Sequence, residues 1–387
     1  MFDRLDSGAS VRNTLFVRAL SQLGHVDVIS FHRDELKSNI ENCDVINAWV
    51  PKAEKRDSFR GKGWLDLIFR PFSPFTYFPV DENKEEFIDG YWRAGSYDYI
   101  ACRYIYNAAI CGLFKYRDKL IIDLDDNPAK VYKLNMKYNS FRYMHKRLKY
   151  RIQTWTIGGM VRKQMDSVFC SFYSNPLEKP SPKSVLLYNT TTIKDRIDDI
   201  TDATPYRILI VGWLDYYPNK EGSRHFVANI FPLIKSALPE AELHIAGKCS
   251  DPSVIEGMND AEGVKALGFV DDIAREYRES RVIVIPVYHG SGTSVKFIEG
   301  VMVNRPIVST PLGARGFEHI CKEGEHYLEA TDDNDFTEKV IRLLKSTEES
   351  KRLAHNALQL GRRHFSQEGF MSTVRETVTN LVKSANG

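Results

Sequence analysis

Among 387 residues there is no unbroken apolar run near 18 residues, so no membrane-spanning helix is expected. The six cysteines (Cys43, Cys102, Cys111, Cys170, Cys249, Cys321) include no Cys-x-x-Cys pair, which argues against a disulfide framework or a zinc ribbon. Buried free thiols in a reducing cytosol are the expectation. The ten histidines show no metal-ligand spacing, so no metal is expected. Met1-Phe2-Asp3-Arg4 does not open a secretory leader. No period of solenoid length recurs. One scarcity is local. Residues 127–165 contain no Asp or Glu but ten Lys and Arg, a charge of +10 in a chain of net +2, leaving −8 elsewhere. Such asymmetry points to an anionic partner.

What is present is a regular alternation of apolar runs and helical patterns, the signature of α/β architecture with parallel sheets. Candidate strands are 25–31, 44–49, 98–102, 119–123, 167–171 and 184–188, then 207–212, 241–246, 264–267, 281–286 and 306–309. Helices are expected over 10–23, 83–94 and 139–165, and near 220–237, 272–279, 293–303, 333–346, 348–363 and 367–384. The division predicted is 1–190, a polar linker 191–206, a second domain 207–365 and a terminal helix 366–387 packing back on the first domain. Two doubly wound domains facing a cleft would bind ligands at the carboxyl ends of their strands.

Residues 290–316 carry the chemistry. The apolar run 282–285 stops at Pro286, and Gly290 and Gly292 make a tight turn. Thr293 is placed to cap a helix running to about Val303. A Gly-rich turn feeding a helix N-terminus offers free N–H groups and partial positive charge to an anion. Lys296 adds a full charge in the first turn. Glu299, one turn on, can accept both hydroxyls of a ribose. Diphosphate at the turn and ribose at the carboxylate make a nucleotide-diphosphate site.

This stretch resembles glycosyltransferase family 4, the retaining transferases of the GT-B fold. The likeness rests on Gly292, Thr293, Lys296, Glu299, Pro306, Ser309, Thr310, Gly313, Ala314 and Gly316. Upstream, Arg207 to Gly212, Pro218-Asn219 with Gly222, Leu243 to Lys248 and Leu267 to Asp272 also match, so the resemblance covers about 205–365. It implies two Rossmann-like domains, Gly212 beside the donor and Val270 reading the base edge through its backbone. Arg12, in the Gly-containing turn Gly8 to Asn13, would face the donor phosphate. Two departures stand out. Ser291 occupies the place of the family's first motif Glu, and Ser294 follows Thr293 where Arg is frequent. Lys248 either supplies the missing cation or is a plain loop lysine. The family also opens with a strand before the Gly-containing turn. Only seven residues precede Gly8 here, and Asp3-Arg4-Leu5-Asp6 is not a central-strand sequence. Either that strand is missing or the start lies further upstream.

Asp126 ends a strand on the ligand side and either takes the acceptor's proton or serves turn chemistry. Arg103 is similarly placed for an anionic acceptor. His289, just before the Gly-rich turn, is the titratable group nearest the expected sugar. The expected activity is transfer of a sugar from a nucleotide-diphosphate donor to a saccharide or lipid-linked saccharide, in surface polysaccharide or glycan synthesis, without cofactor or metal. A nucleotide-sugar epimerase of the same fold and a non-catalytic nucleotide-sugar-binding subunit are the alternatives. The basic stretch 127–165 and the aromatic stretch 64–80 together suggest a cytoplasmic protein peripheral at an anionic membrane surface. No nucleic-acid partner is expected.

Overall fold

The computed structural model describes residues 8–31, 36–49, 80–125, 158–159, 161–193, 203–290 and 293–386. The chain divides into two compact units, Met1–Tyr188 with Met371–Gly387, and Asn189–Phe370. The described part of the expected linker belongs to the second unit.

In the first unit α1 (Gly8–Ser21) leads to β1 (Val26–Ser30) and β2 (Cys43–Asn47). Then come α2 (Glu82–Ala94), β3 (Ile100–Arg103), α3 (Ile105–Ile110), β4 (Leu120–Asp125), β5 (Cys170–Tyr173) and β6 (Val185–Leu186). Glu82 and Glu85 in the first turn of α2 suit its dipole, and Ile88 on its inner face is buried. The near-continuous apolar run of β4 is that of a strand covered on both faces, and Leu120 to Leu124 are all buried. Every ladder is parallel, but the strands form two sheets, β1-β2 and β3-β4-β5-β6. A cavity of about 1310 Å³ lies beside both β1 and β3. The segment 1–7, on which the missing-strand expectation falls, is outside the described residues.

The second unit contains β7 (Arg207–Val211), α4 (Tyr217–His225), α5 (Phe231–Ala237), β8 (Glu242–Ala246), α6 (Pro252–Asn259) and β9 (Val264–Gly268). It continues with α7 (Ile273–Glu279), β10 (Val282–Ile285), α8 (Val295–Met302), β11 (Ile307–Ser309), β12 (Leu328–Glu329), α9 (Asp333–Lys345) and α10 (Thr347–His364). The last helix, α11 (Gln367–Asn386), belongs to the first unit from Met371 onward. One parallel sheet runs β12-β11-β10-β7-β8-β9. Ile208, Ile210, Leu243, Ile245, Val282 and Val284 share one buried core with Phe226, Ile230 and Phe336.

Three expectations change in detail. The helix anticipated over 220–237 is α4, a π turn Phe226–Ile230 and α5, because Pro232 has no N–H to continue the ladder. The turn before it widens, with Phe231 N–H donating to the Phe226 carbonyl. Helix α8 begins at Val295 with Ser294 as its N-cap residue, so Thr293 is not the cap. Finally, α3, α6 and β12 are short elements that the periodicity did not resolve.

Candidate donor site

Strands β10 and β7 are neighbours at the centre of the second sheet. From them the chain order runs outward in opposite directions, through β8 and β9 on one side and β11 and β12 on the other. This is the switch point of a doubly wound sheet, where ligands settle at the carboxyl ends of strands. Helices α4 and α8 follow these two strands.

Gly212 follows β7 directly. A Cβ there would stand 2.7 Å from Asn219 Nδ2 and 3.1 Å from Lys296 Nζ, so glycine lets both side chains reach the strand end. Asn219 Nδ2 donates to the Trp213 carbonyl at 3.0 Å, and Lys296 Nζ donates to Asn219 Oδ1 at 2.7 Å. The lysine is thereby fixed where α8 begins. Burial lowers its ammonium to about 8, against the opposing pull of Glu299. No side chain caps α8 and no acid lies in its first turn, so its leading N–H groups and Lys296 make one cationic pole.

Glu299 accepts from Tyr277 Oη through Oε2 at 2.6 Å. Burial pushes its carboxyl up to about 6, with the Tyr277 hydrogen bond and Lys296 opposing. Tyr277 is fully buried on α7, and its phenol is raised well above the usual range by burial and then by Glu299. It therefore stays a donor at any working pH. It ties one carboxylate oxygen and fixes the plane of the other.

Thr293 Oγ1 accepts from Asn189 Nδ2 at 3.3 Å. His289 lies 3.8 Å from Glu221 Oε2. Lys248 is exposed, and Val270 is half-buried beside Phe269, whose ring is 71% exposed. Trp213, Tyr216 and Tyr217 also expose their rings, around the end of β7. Asp272, not Asp271, caps α7, accepting from Arg275 N–H. Gly292 and Asp126 lie outside the described residues.

Arg12 and Arg103 sit in the first unit, where both guanidiniums hold carboxylates of the chain itself. Arg12 is buried, with Nε and Nη2 on the Asp123 carboxylate at 2.7 Å and Nη1 on the Leu187 carbonyl at 2.9 Å. Arg103 Nη1 donates to Asn13 Oδ1 at 2.7 Å and Nη2 pairs with Asp125. These guanidiniums stitch α1, β3 and β4 together. They hold the Asp125 carboxyl below its usual range, against its own burial.

Residues 205–346 match the family model of glycosyl transferases group 1. That segment of the second unit is therefore similar to a glycosyltransferase domain. In a protein from the cps region of Klebsiella pneumoniae, described as uncharacterized, 175 residues are 21% identical. The match spans 43% of this chain and 44% of that protein, less than half of the relative's length. Sucrose-phosphate synthase from Thermosynechococcus elongatus superposes with a TM-score of 0.68 at 16% identity, over 98% of this chain and 94% of its own. A glycosyltransferase from Rickettsia africae gives 0.62 at 13% identity, over 97% and 96%. Anabaena HepE, solved in complex with UDP, gives 0.54 at 11% identity, over 79% and 82%. These likenesses show the GT-B fold, with two Rossmann-like units.

Sequence reasoning missed Tyr277 as the partner of Glu299, and noted Asn219 only as part of a matching loop, not as the partner of Lys296. A lone tyrosine in a short amphipathic helix carries no signal of its own. Only the folded chain, which brings Tyr277 to Glu299, reveals what its hydroxyl meets.

Proposed function

We propose that the protein is a retaining glycosyltransferase. It moves a sugar from a nucleotide-diphosphate donor to a hydroxyl of a saccharide or lipid-linked saccharide. The observation that carries the reading is the Lys296–Glu299 pair on α8 at the switch point. A half-buried ammonium beside uncapped helix N–H groups suits a diphosphate, and an oriented carboxylate suits a ribose. Charge developing on the leaving diphosphate is stabilised by Lys296 and the α8 N-terminus, with no metal needed. Gly212 gives the phosphates access to backbone. The backbone at Val270, the rings near it, Lys248 and Thr293 border the base and diphosphate, and Gly292 joins this set on its sequence position. His289 lies toward the sugar, and Asp126 is the proposed acceptor-side base.

A surface-polysaccharide role is supported by the cps-region relative. The basic stretch 127–165 supports docking on an anionic membrane, where a lipid-linked acceptor resides; co-sedimentation with anionic and neutral vesicles tests it, and equal binding to both removes it. The main experiment is a thermal-shift panel of nucleotide-diphosphate sugars, followed by product analysis with saccharide acceptors. A donor at a hundred times its dissociation constant stabilises by about 2.7 kcal/mol. Transfer is supported by a nucleoside diphosphate released only with acceptor. No shift with any donor would overturn the reading.

A further inference from the structure

Asp27 of β1 and Asp44 of β2 are register partners in a parallel ladder, so their side chains leave the same face of the pair. Like charges on such neighbours repel, and a cation between them relieves the repulsion. His25 stands two residues before Asp27, on that same face. Its Nε2 lies 3.1 Å from Asp27 Oδ1 and 3.2 Å from Asp44 Oδ2. Among the described residues His25 is the one basic group that meets these two carboxylates, and its ring is charged only when protonated. The three donor atoms all fall within 4.8 Å of one another. The spacing of histidines in the sequence gave no sign of this group, because its third member comes from the next strand.

The geometry suits a small transition ion. In a tetrahedral site with bonds of about 2.0–2.2 Å, donor atoms stand about 3.3–3.6 Å apart. Both distances from Nε2 come close to this. The third edge, between the carboxylates, can adjust, because the Asp44 side chain is 72% exposed. Asp27 is the fixed member. Tyr91 of α2 donates to its Oδ2 at 3.1 Å, and Tyr97 donates to the same oxygen. The two phenol rings stack with centroids 5.7 Å apart, which holds both hydroxyls in place. Oδ1 is thereby turned toward His25. Outer hydrogen bonds of this kind orient metal-ligating carboxylates. An imidazole nitrogen beside two carboxylates favours a first-row transition ion over calcium or magnesium, which take oxygen ligands. His25 and Asp44 are both exposed, so water can reach the remaining coordination position.

We propose that His25, Asp27 and Asp44 form a metal site of the first unit. It takes one zinc-like divalent ion through Nε2 and one oxygen of each carboxylate, with water completing the coordination. The site belongs to a different unit from Lys296 and Glu299, and it does not depend on the glycosyltransferase reading.

The test is a zinc titration of the full, untagged chain against a chromophoric chelator, repeated with His25→Ala and Asp44→Asn. The unsubstituted protein should bind one zinc more tightly than either variant, by at least about the 10–100-fold that loss of an outer hydrogen-bond partner costs a metal site. Both substituted positions are exposed, so Tm without metal should not fall. X-ray absorption of the complex with one equivalent of zinc should show nitrogen and oxygen neighbours only. No zinc uptake by the unsubstituted protein, or equal uptake by all three proteins, overturns the proposal. So does a sulfur neighbour, which would place the ion on the cysteines. Release of the zinc by millimolar magnesium would overturn the ion class.

Discussion

β7 and β3 are both short apolar strands in parallel sheets, yet the three central residues of β7 are buried while Ala101 in β3 is exposed. Their compositions do not account for this; their neighbours do. β7 pairs with β10 and β8, whereas among the described residues β3 pairs with β4 alone. In the second unit the continuous sheet gives α4, α7 and α8 a fixed platform, so Asn219, Tyr277, Lys296 and Glu299 meet at hydrogen-bond distances. In the first unit, the carboxyl edge is held by charge instead, through Arg12, Asp123, Arg103 and Asp125. One unit is organised by packing around the proposed donor site. The other uses cationic groups of the kind that bind phosphates to hold itself together.

The largest test of this contrast is a glycine in each unit. A Cβ on Gly222 of α4 would fall on the Pro286 carbonyl oxygen at the end of β10, whereas one on Gly90 of α2 meets nothing within 4 Å. Gly222→Ala should therefore destabilise the second unit by more than about 3 kcal/mol, since two backbones must part. Gly90→Ala should stabilise the first by about 0.5–1 kcal/mol, by helix propensity alone. Thermal melts read both, and similar effects of the two substitutions would erase the distinction drawn here.

Next is Arg12→Ala. Removing one partner of a buried pair leaves Asp123 uncompensated, a loss of about 3–5 kcal/mol. Because its bonds to Asp123 and Leu187 lie within the first unit, nucleotide affinity should be unchanged wherever the protein remains folded. A variant that melts normally but loses donor binding would restore the phosphate-facing role that the family resemblance implies.

Glu299→Gln is the counterpart in the second unit. The amide still accepts from Tyr277 and a charge that burial disfavours is removed, so Tm at pH 7 should not fall and should rise slightly, while the charged acceptor for the ribose is gone. Donor affinity should fall by about 1.5–3 kcal/mol, the worth of a hydrogen bond to a charged group. Titration calorimetry with a nucleotide-diphosphate sugar checks this, and unchanged affinity would mean that α8 has been misread.

How much was legible follows the same division. Strands β7 to β10 of the second unit were readable because each is closed by Gly or Pro, and the Gly-rich turn, Lys296 and Glu299 lie within one short stretch. Tyr277 was illegible because its role depends on a contact 22 residues away in sequence. The carboxylate partner of Arg12 was hidden for a similar reason: it lies 111 residues on, and a guanidinium near a glycine turn looks the same whether it faces a phosphate or a carboxylate. The π turn before Pro232 was hidden by an otherwise helical pattern. The poor cover of β1 and β3 shows only once their neighbours are known.

The smallest expected effect is on pH dependence, and it tests whether burial tunes the donor site. With Glu299 near 6 and Lys296 near 8, the carboxylate and the ammonium coexist best around pH 7. Affinity for a nucleotide-diphosphate sugar, which has no phosphate titrating in this range, should fall about fourfold at pH 5.5 as Glu299 takes a proton. A similar fall is expected at pH 8.5 as Lys296 loses one. Glu299→Gln should abolish the acid limb and Lys296→Met the alkaline one. Stability has the opposite bias. Glu299 is raised above its ordinary 4.5, so the stability it contributes is full below that value and lost as pH rises through 6. Lys296 is lowered from 10.5, so its contribution is full above that value and lost as pH falls through 8. Near neutrality the free protein bears both losses, which a bound diphosphate and ribose would offset. Lys296→Met should accordingly raise Tm at pH 7 and lose that advantage by about pH 10.5. A flat affinity profile between pH 5.5 and 8.5 in the unsubstituted protein would show that neither group is tuned by the site.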